Sequence, residues 1–93
     1  MARLDDTAIA EALGQLAGWS RTGDAIEKTY GLSSFAAAVA FVVRVGFLAE
    51  QADHHPDLDI RWNRVRVLLT SHDAGGITER DLALARGIED EAS

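Results

Sequence analysis

Leu58-Asp59-Ile60-Arg61-Trp62-Asn63-Arg64-Val65-Arg66-Val67-Leu68-Leu69-Thr70 decides the fold, because here the apolar positions change from helical spacing to alternation. Leu58, Ile60 and Trp62 alternate with Asp57, Asp59 and Arg61, and Val65, Val67 and Leu69 alternate with Arg64, Arg66 and Thr70. The pattern predicts two strands turned about Asn63-Arg64, each apolar on one face and charged on the other. Such a pair needs a cover on its apolar face, and the rest of the chain has to supply it.

Upstream, Ser33 or Ser34 can cap a helix from Phe35 to about Ala52, rich in Ala, Val and Phe and free of charge before Arg44. Phe35, Val39, Val42 and Ala49 form a stripe suited to a sheet, which leaves Phe41, Val45 and Leu48 for a further buried contact. Further back, Trp19 to Thr22, Gly23-Asp24 and Ala25 to Leu32 read as a hairpin with Ile26, Tyr30 and Leu32 on one face. Before it, Asp5, Asp6 or Thr7 caps a first helix from Thr7 to Ala17, stopped by Gly18. Downstream, Gly75-Gly76 ends the strand unit, and Thr78-Glu79-Arg80-Asp81 has the form of a capping box ahead of a helix with the stripe Leu84, Ala85 and Ile88. The order is α-β-β-α-β-β-α. The expected fold is α+β, a four-stranded antiparallel sheet covered on one face by three helices, with residues 1–93 as a single domain.

Composition narrows the function classes. The chain has 93 residues, enough for one core, and its 47% hydrophobic content is ordinary for a globular protein. Absence of cysteine excludes disulfides, thiolate metal sites and cysteine nucleophiles. A formal charge of -6 repels phosphate backbones, so no direct nucleic-acid partner is expected. No secretory or transit address is legible, and the apolar stretch Phe35–Ala49 is too short for a bilayer and carries Arg44, so a soluble cytoplasmic protein without a membrane partner is expected. A small core and an apolar central helix point to self-association.

The three histidines, His54, His55 and His72, all lie in the second half, two at a helix-to-strand junction and one at a strand's end. Imidazoles titrate near neutrality and suit proton transfer in both directions, although adjacent histidines also occur as solvated loop residues, and spacing does not separate the two readings. Side chains of neighbouring residues diverge and no i, i+4 histidine pair exists, so no metal site is expected. Glu50 precedes His54 by one helical turn and can orient it if the helix persists; a carboxylate there otherwise only closes the helix in solvent. Asp81 reads first as the N3 acid of its capping box. Trp19 and Trp62 read as core or pocket-wall residues.

Glu50, His54-His55-Pro56, Trp62, His72 and Asp81, at these spacings, resemble the signature of the pterin-4a-carbinolamine dehydratases. Thr70-Ser71-His72-Asp73, Gly75-Gly76-Ile77-Thr78, Gly18-Trp19 and Asp24-Ala25-Ile26 extend the likeness over nearly the whole chain. The resemblance implies three helices on a four-stranded antiparallel sheet that associates with further subunits, as a homodimer or homotetramer. It implies dehydration of 4a-hydroxytetrahydropterin to quinonoid dihydropterin and water, with a pterin as small-molecule substrate and no metal or organic cofactor. It makes His54 and His72 acids for the two stereoisomers of the hydroxyl, and His55 a substrate-binding residue that assists proton transfer. Glu50 orients the first histidine, and Asp53, Thr70, Ser71 and Asp73 fall at substrate-contact positions. Asp57-Leu58 departs from members with an aromatic residue after the acid. The competing expectation is a non-catalytic binding or assembly module, since relatives also stabilise a transcription factor's dimer or serve in assembly.

Overall fold

The computed structural model describes residues 2–92. Its elements are α1 (Asp6–Leu13), β1 (Ser20–Thr22), β2 (Ala25–Gly31), α2 (Phe35–Ala52), β3 (Asp57–Arg61), β4 (Arg64–Leu69), a short 3-10 turn (His72–Ala74) and α3 (Glu79–Ala92). The strands form one antiparallel sheet in the order β1-β2-β4-β3. The α-β-β-α-β-β-α order and the α+β class are as the sequence implies.

Local chemistry accounts for the helix starts. The Asp5 carboxylate accepts the Ala8 amide at 2.8 Å and the Ser34 hydroxyl accepts the Ala37 amide at 3.0 Å, each satisfying a donor that the first turn leaves unpaired. Helix α1 stops at Leu13 rather than Ala17, because Gly14 caps it and the chain tightens through Gln15 N–H to Ala12 and Leu16 N–H to Leu13. Leu16 thereby still reaches the core.

The central pair β2 and β4 aligns Ile26 with Leu69, Lys28 with Val67 and Tyr30 with Val65. Ile26, Val65, Val67 and Leu69 are fully buried, while Thr29 and Arg64 are exposed on the opposite face. The helices therefore cover one face, as expected. The face of α2 turned to the core is Ala38, Phe41, Val45 and Ala49, which corrects the stripe read from sequence. Alanines at 38 and 49 let the helix approach closely, and the Phe41 ring packs 4.9 Å from that of Tyr30. Phe35 and Val39 point outward instead, with Val43 and Phe47, at 38 to 70% exposure.

Helix α2 has 18 residues and a mean hydropathy of 1.5, enough by length and composition to cross a membrane. Shortness is therefore no argument against a span. Arg44 at mid-helix and the stripe that α2 commits to the core weigh against one instead.

The β3–β4 turn is centred on Trp62-Asn63, closed by Arg61 opposite Arg64, one residue earlier than expected. Both registers put the same side chains on the same face, so alternation cannot choose between them. Contacts outside the hairpin select this one: Asn63 donates its side-chain amide to the Leu32 carbonyl at 3.0 Å, and the Leu32 amide donates to the Asn63 carbonyl at 2.8 Å. Trp62 consequently sits in the turn at φ 52°, 74% exposed, and is neither core nor pocket wall.

Candidate active site

Helix α2 delivers the first two histidines by the way it ends. Asp53 adopts the left-handed conformation at φ 50°, and its amide and that of His54 turn back onto the carbonyls of Glu50 and Ala49. This cap ends the helix and folds His54 back into the protein, where it is only 8% exposed, while His55 stays outside. The Glu50-to-His54 helical spacing is broken at that point. The Glu50 carboxylate meets His55 Nε2 instead, at 3.0 Å, and that pair is exposed, so the expected orientation of His54 by Glu50 does not occur.

The carboxylate that reaches His54 is Asp81. Its Oδ1 lies 2.5 Å from His54 Nε2, and its Oδ2 accepts the Ser71 hydroxyl and the Thr78 amide, each at 2.9 Å. Asp81 is completely buried in the first turn of α3. Asp81 takes the Thr78 amide as the capping box implies, and the same carboxylate also positions a histidine. With Oδ1 as acceptor, Nε2 carries the hydrogen, and Nδ1 is the ring nitrogen left for chemistry.

Beside this pair opens a hollow of about 360 Å³ lined by Asp53, His54, His55, Thr70, His72, Asp73 and Arg80. Six sequence-predicted residues thus share one cleft, with His72 brought in by the 3-10 turn that follows β4. Ser71 does not line it. Its bridge to Gly76 turns the side chain inward, where the hydroxyl meets Asp81 and Thr78. Neither tryptophan lines the hollow; Trp19 is buried elsewhere, donating to Glu89 at 3.1 Å.

Sequence reasoning missed Arg80, whose guanidinium donates to the Asp53 carbonyl at 2.6 Å and so braces the left-handed cap while contributing a cation to the rim. Its only signal was its place beside Asp81 in the first turn of a helix. Among the described residues no three or more His, Asp or Glu side chains come together to hold a metal ion, and the nearby carboxylates of Asp81 and Glu50 are engaged one to a histidine. A cleft with one anchored imidazole, two exposed ones and a polar rim can bind a small polar molecule and move protons on it.

Comparison with known proteins agrees with this picture. Residues 2–91 match the family model described as pterin 4 alpha carbinolamine dehydratase. A Thermomicrobium roseum protein, provisionally named pterin-4-alpha-carbinolamine dehydratase, is 59% identical over the full length of both chains. A Roseiflexus protein of the same provisional name is 57% identical, covering 95% of each chain. The crystal structure of a transcriptional coactivator/pterin dehydratase from Brucella melitensis superposes with a TM-score of 0.94 at 34% identity, over 98% of this chain and 99% of that one. A pterin dehydratase-like RuBisCO assembly factor of the alpha-carboxysome shares the fold, with a TM-score of 0.66 at 21% identity over 81% of this chain and 87% of that one. By its sequence, its fold and the match over residues 2–91, the chain belongs to the pterin-4a-carbinolamine dehydratase family.

Proposed function

We propose that the histidine-lined hollow dehydrates 4a-hydroxytetrahydropterins to quinonoid dihydropterins. The observation that carries this reading is the convergence of His54, His55 and His72 on one cleft, with His54 held by a buried carboxylate. The reaction loses the C4a hydroxyl as water and a proton from N5, with no change of oxidation state. It needs an acid for a poor leaving group and a base for a ring N–H. An imidazolium at His54 or His72 protonates the departing hydroxyl, according to which face of the ring carries it. The imidazole that results is the base for the next proton. His55, paired with Glu50, binds substrate and assists the transfer. Asp53, Thr70 and Asp73 offer polar groups to the pyrimidine edge. The balance closes on protons alone and calls on no cofactor. Stopped-flow absorbance of quinonoid product from freshly generated carbinolamine tests the reading; no acceleration by purified protein would overturn it.

A binding role has its own support in α2. Phe35, Val39, Val43 and Phe47 recur every fourth residue and leave an apolar stripe 38 to 70% exposed. We read this stripe as the contact through which the chain forms a homodimer or homotetramer in the cytoplasm. A non-catalytic module acting through the same surface is the alternative if the histidines prove inert.

A further inference from the structure

The turn that brings His72 to the cleft has little of its own to hold it. No residue of the 3-10 turn His72–Ala74 is buried, and its backbone bonds are local: Ala74 N–H to the Ser71 carbonyl and Gly75 N–H to the His72 carbonyl, each at 3.1 Å. Ser71 and Gly76 close the loop behind it, with Ser71 N–H donating to Gly76 at 3.0 Å and Gly76 N–H to Ser71 at 3.3 Å. Gly76 is nevertheless buried, although Gly75, His72 and Asp73 beside it are exposed. The group that lies over it is the Arg3 side chain. A Cβ on Gly76 would stand 2.5 Å from Arg3 Cδ and 3.0 Å from Arg3 Cγ, and the third nearest atom, at 3.9 Å, is Arg3 Nε. Gly76 is not among the residues at positive φ, so the close approach of Arg3, and not the turn, calls for glycine there.

The arm that carries Arg3 is itself fastened. The Leu4 amide donates to the Ile77 carbonyl at 2.9 Å, and the Leu4 side chain packs against the core before Asp5 caps α1. Among the described residues, the one hydrogen bond that reaches residues 72–75 from outside their loop comes from Arg3, whose guanidinium donates to the Gly75 carbonyl at 3.4 Å. That distance is at the outer limit for a hydrogen bond, so the aliphatic stem seated on Gly76 supplies most of the restraint. Restraint matters here because a loop with few buried contacts opens easily, and a catalytic group displaced by about 1 Å loses about 10²-fold in rate.

Resting on the dehydratase reading, we propose that Arg3 is a positioning residue for His72: its stem, seated on Gly76, holds the turn that presents the imidazole to the cleft. Two readouts test it. Amide hydrogen exchange at Ser71 and Gly75 reports on the loop without any turnover, and kcat/KM is measured for each configuration of the 4a-hydroxyl. Arg3→Ala is expected to speed exchange at both amides by about tenfold or more, with α3 and β2 exchanging as in the parent. It should also lower kcat/KM about tenfold for the isomer that His72→Ala loses, while the other isomer stays within about twofold. Arg3→Met keeps the stem without the charge and should match the parent in both readouts. Gly76→Ala should repeat the effect of Arg3→Ala, and the two together should be no worse than either alone, because the three atoms nearest the added methyl all belong to the Arg3 side chain. Unmoved exchange in Arg3→Ala, an equal loss for both isomers, additive losses in the double variant, or an Arg3→Met as impaired as Arg3→Ala overturns the proposal and leaves the dehydratase reading intact. If the parent dehydrates neither isomer, the dehydratase reading falls and exchange alone decides the restraint: faster exchange in Arg3→Ala with parental rates in Arg3→Met supports it, and any other pattern overturns it.

Discussion

Nε2 of His54 lies 2.5 Å from Oδ1 of Asp81, a carboxylate with no solvent exposure whose other oxygen takes two further donors. Residues 27 positions apart are joined at the point where α2 ends and α3 begins. The bond selects the tautomer of the imidazole and holds its ring at the cleft.

Replacing that acceptor should disturb both jobs. Asp81→Asn is expected to lower kcat/KM by about 10²-fold or more, because an amide nitrogen turned toward Nε2 reverses the tautomer. It should also shift the pH profile of kcat and destabilise the protein by about 1–3 kcal/mol through the buried donors of Ser71 and Thr78. Stopped-flow kinetics across pH, with a urea melt, measure both. Reduced stability with an unmoved pH profile would make Asp81 purely structural.

The two histidines proposed as acids should separate by stereochemistry. His72→Ala removes an exposed side chain and is expected to cost about 10²–10⁴-fold for one configuration of the 4a-hydroxyl while the circular dichroism spectrum stays that of the parent. His54→Ala should do the same for the other configuration; His54→Gln, which can still donate to Asp81, guards against loss of fold. Full turnover of both isomers by either variant would remove the role assigned to that residue. Arg44→Ala is the control: it loses a surface pair with Glu91 at 3.3 Å, far from the cleft, and turnover should stay within a few-fold.

Opposite the cleft, α3 is fastened to β2 by Glu89, whose Oε1 accepts from Lys28 at 2.5 Å, Tyr30 at 2.5 Å and Trp19 at 3.1 Å. Burial pushes the Glu89 carboxyl upward, but the three donors, Lys28 foremost, outweigh it and hold the group below the usual glutamate range. Its stabilising effect is therefore complete above that range and is lost as pH falls through it. Glu89→Gln should be less stable at pH 7 and show a shallower decline toward pH 3 in urea titrations. Equal acid slopes for parent and variant would contradict this.

Tyr30, the single tyrosine, is pushed far above the normal phenol range, first by burial and then by its hydrogen bond to the Glu89 carboxylate. A raised acid stabilises the fold below its unfolded value, about 10, and that contribution is lost as pH rises beyond it. Phenolate absorbance should thus appear only together with unfolding. Ionisation of the folded protein near pH 10, with native circular dichroism, would refute it.

The apolar stripe of α2 should control assembly. Val43→Glu with Phe47→Glu places charge on the exposed face without touching Phe41 or Val45, so the fold should persist while light scattering reports a monomer. A parent that is itself monomeric at all concentrations would end the oligomer reading.

Alternation in Leu58–Thr70, the helical spacing after Ser34 and the capping residues at Asp5 and Thr78 were sufficient for the element order, because these are local effects of backbone hydrogen bonding and one-sided burial. Residue types and spacings likewise singled out His54, His55 and His72. Which stripe of α2 faces the core was decided only by packing, since Phe35 and Phe41 are equally apolar and the close approach allowed by Ala38 and Ala49 exists only once the sheet is present. The partner of His54 was likewise a tertiary matter: the left-handed turn at Asp53 carries His54 off the Glu50 face and toward a carboxylate 27 residues away, a contact no local spacing encodes. Side-chain identity determined what chemistry was possible, and the meeting of helix ends determined which groups perform it.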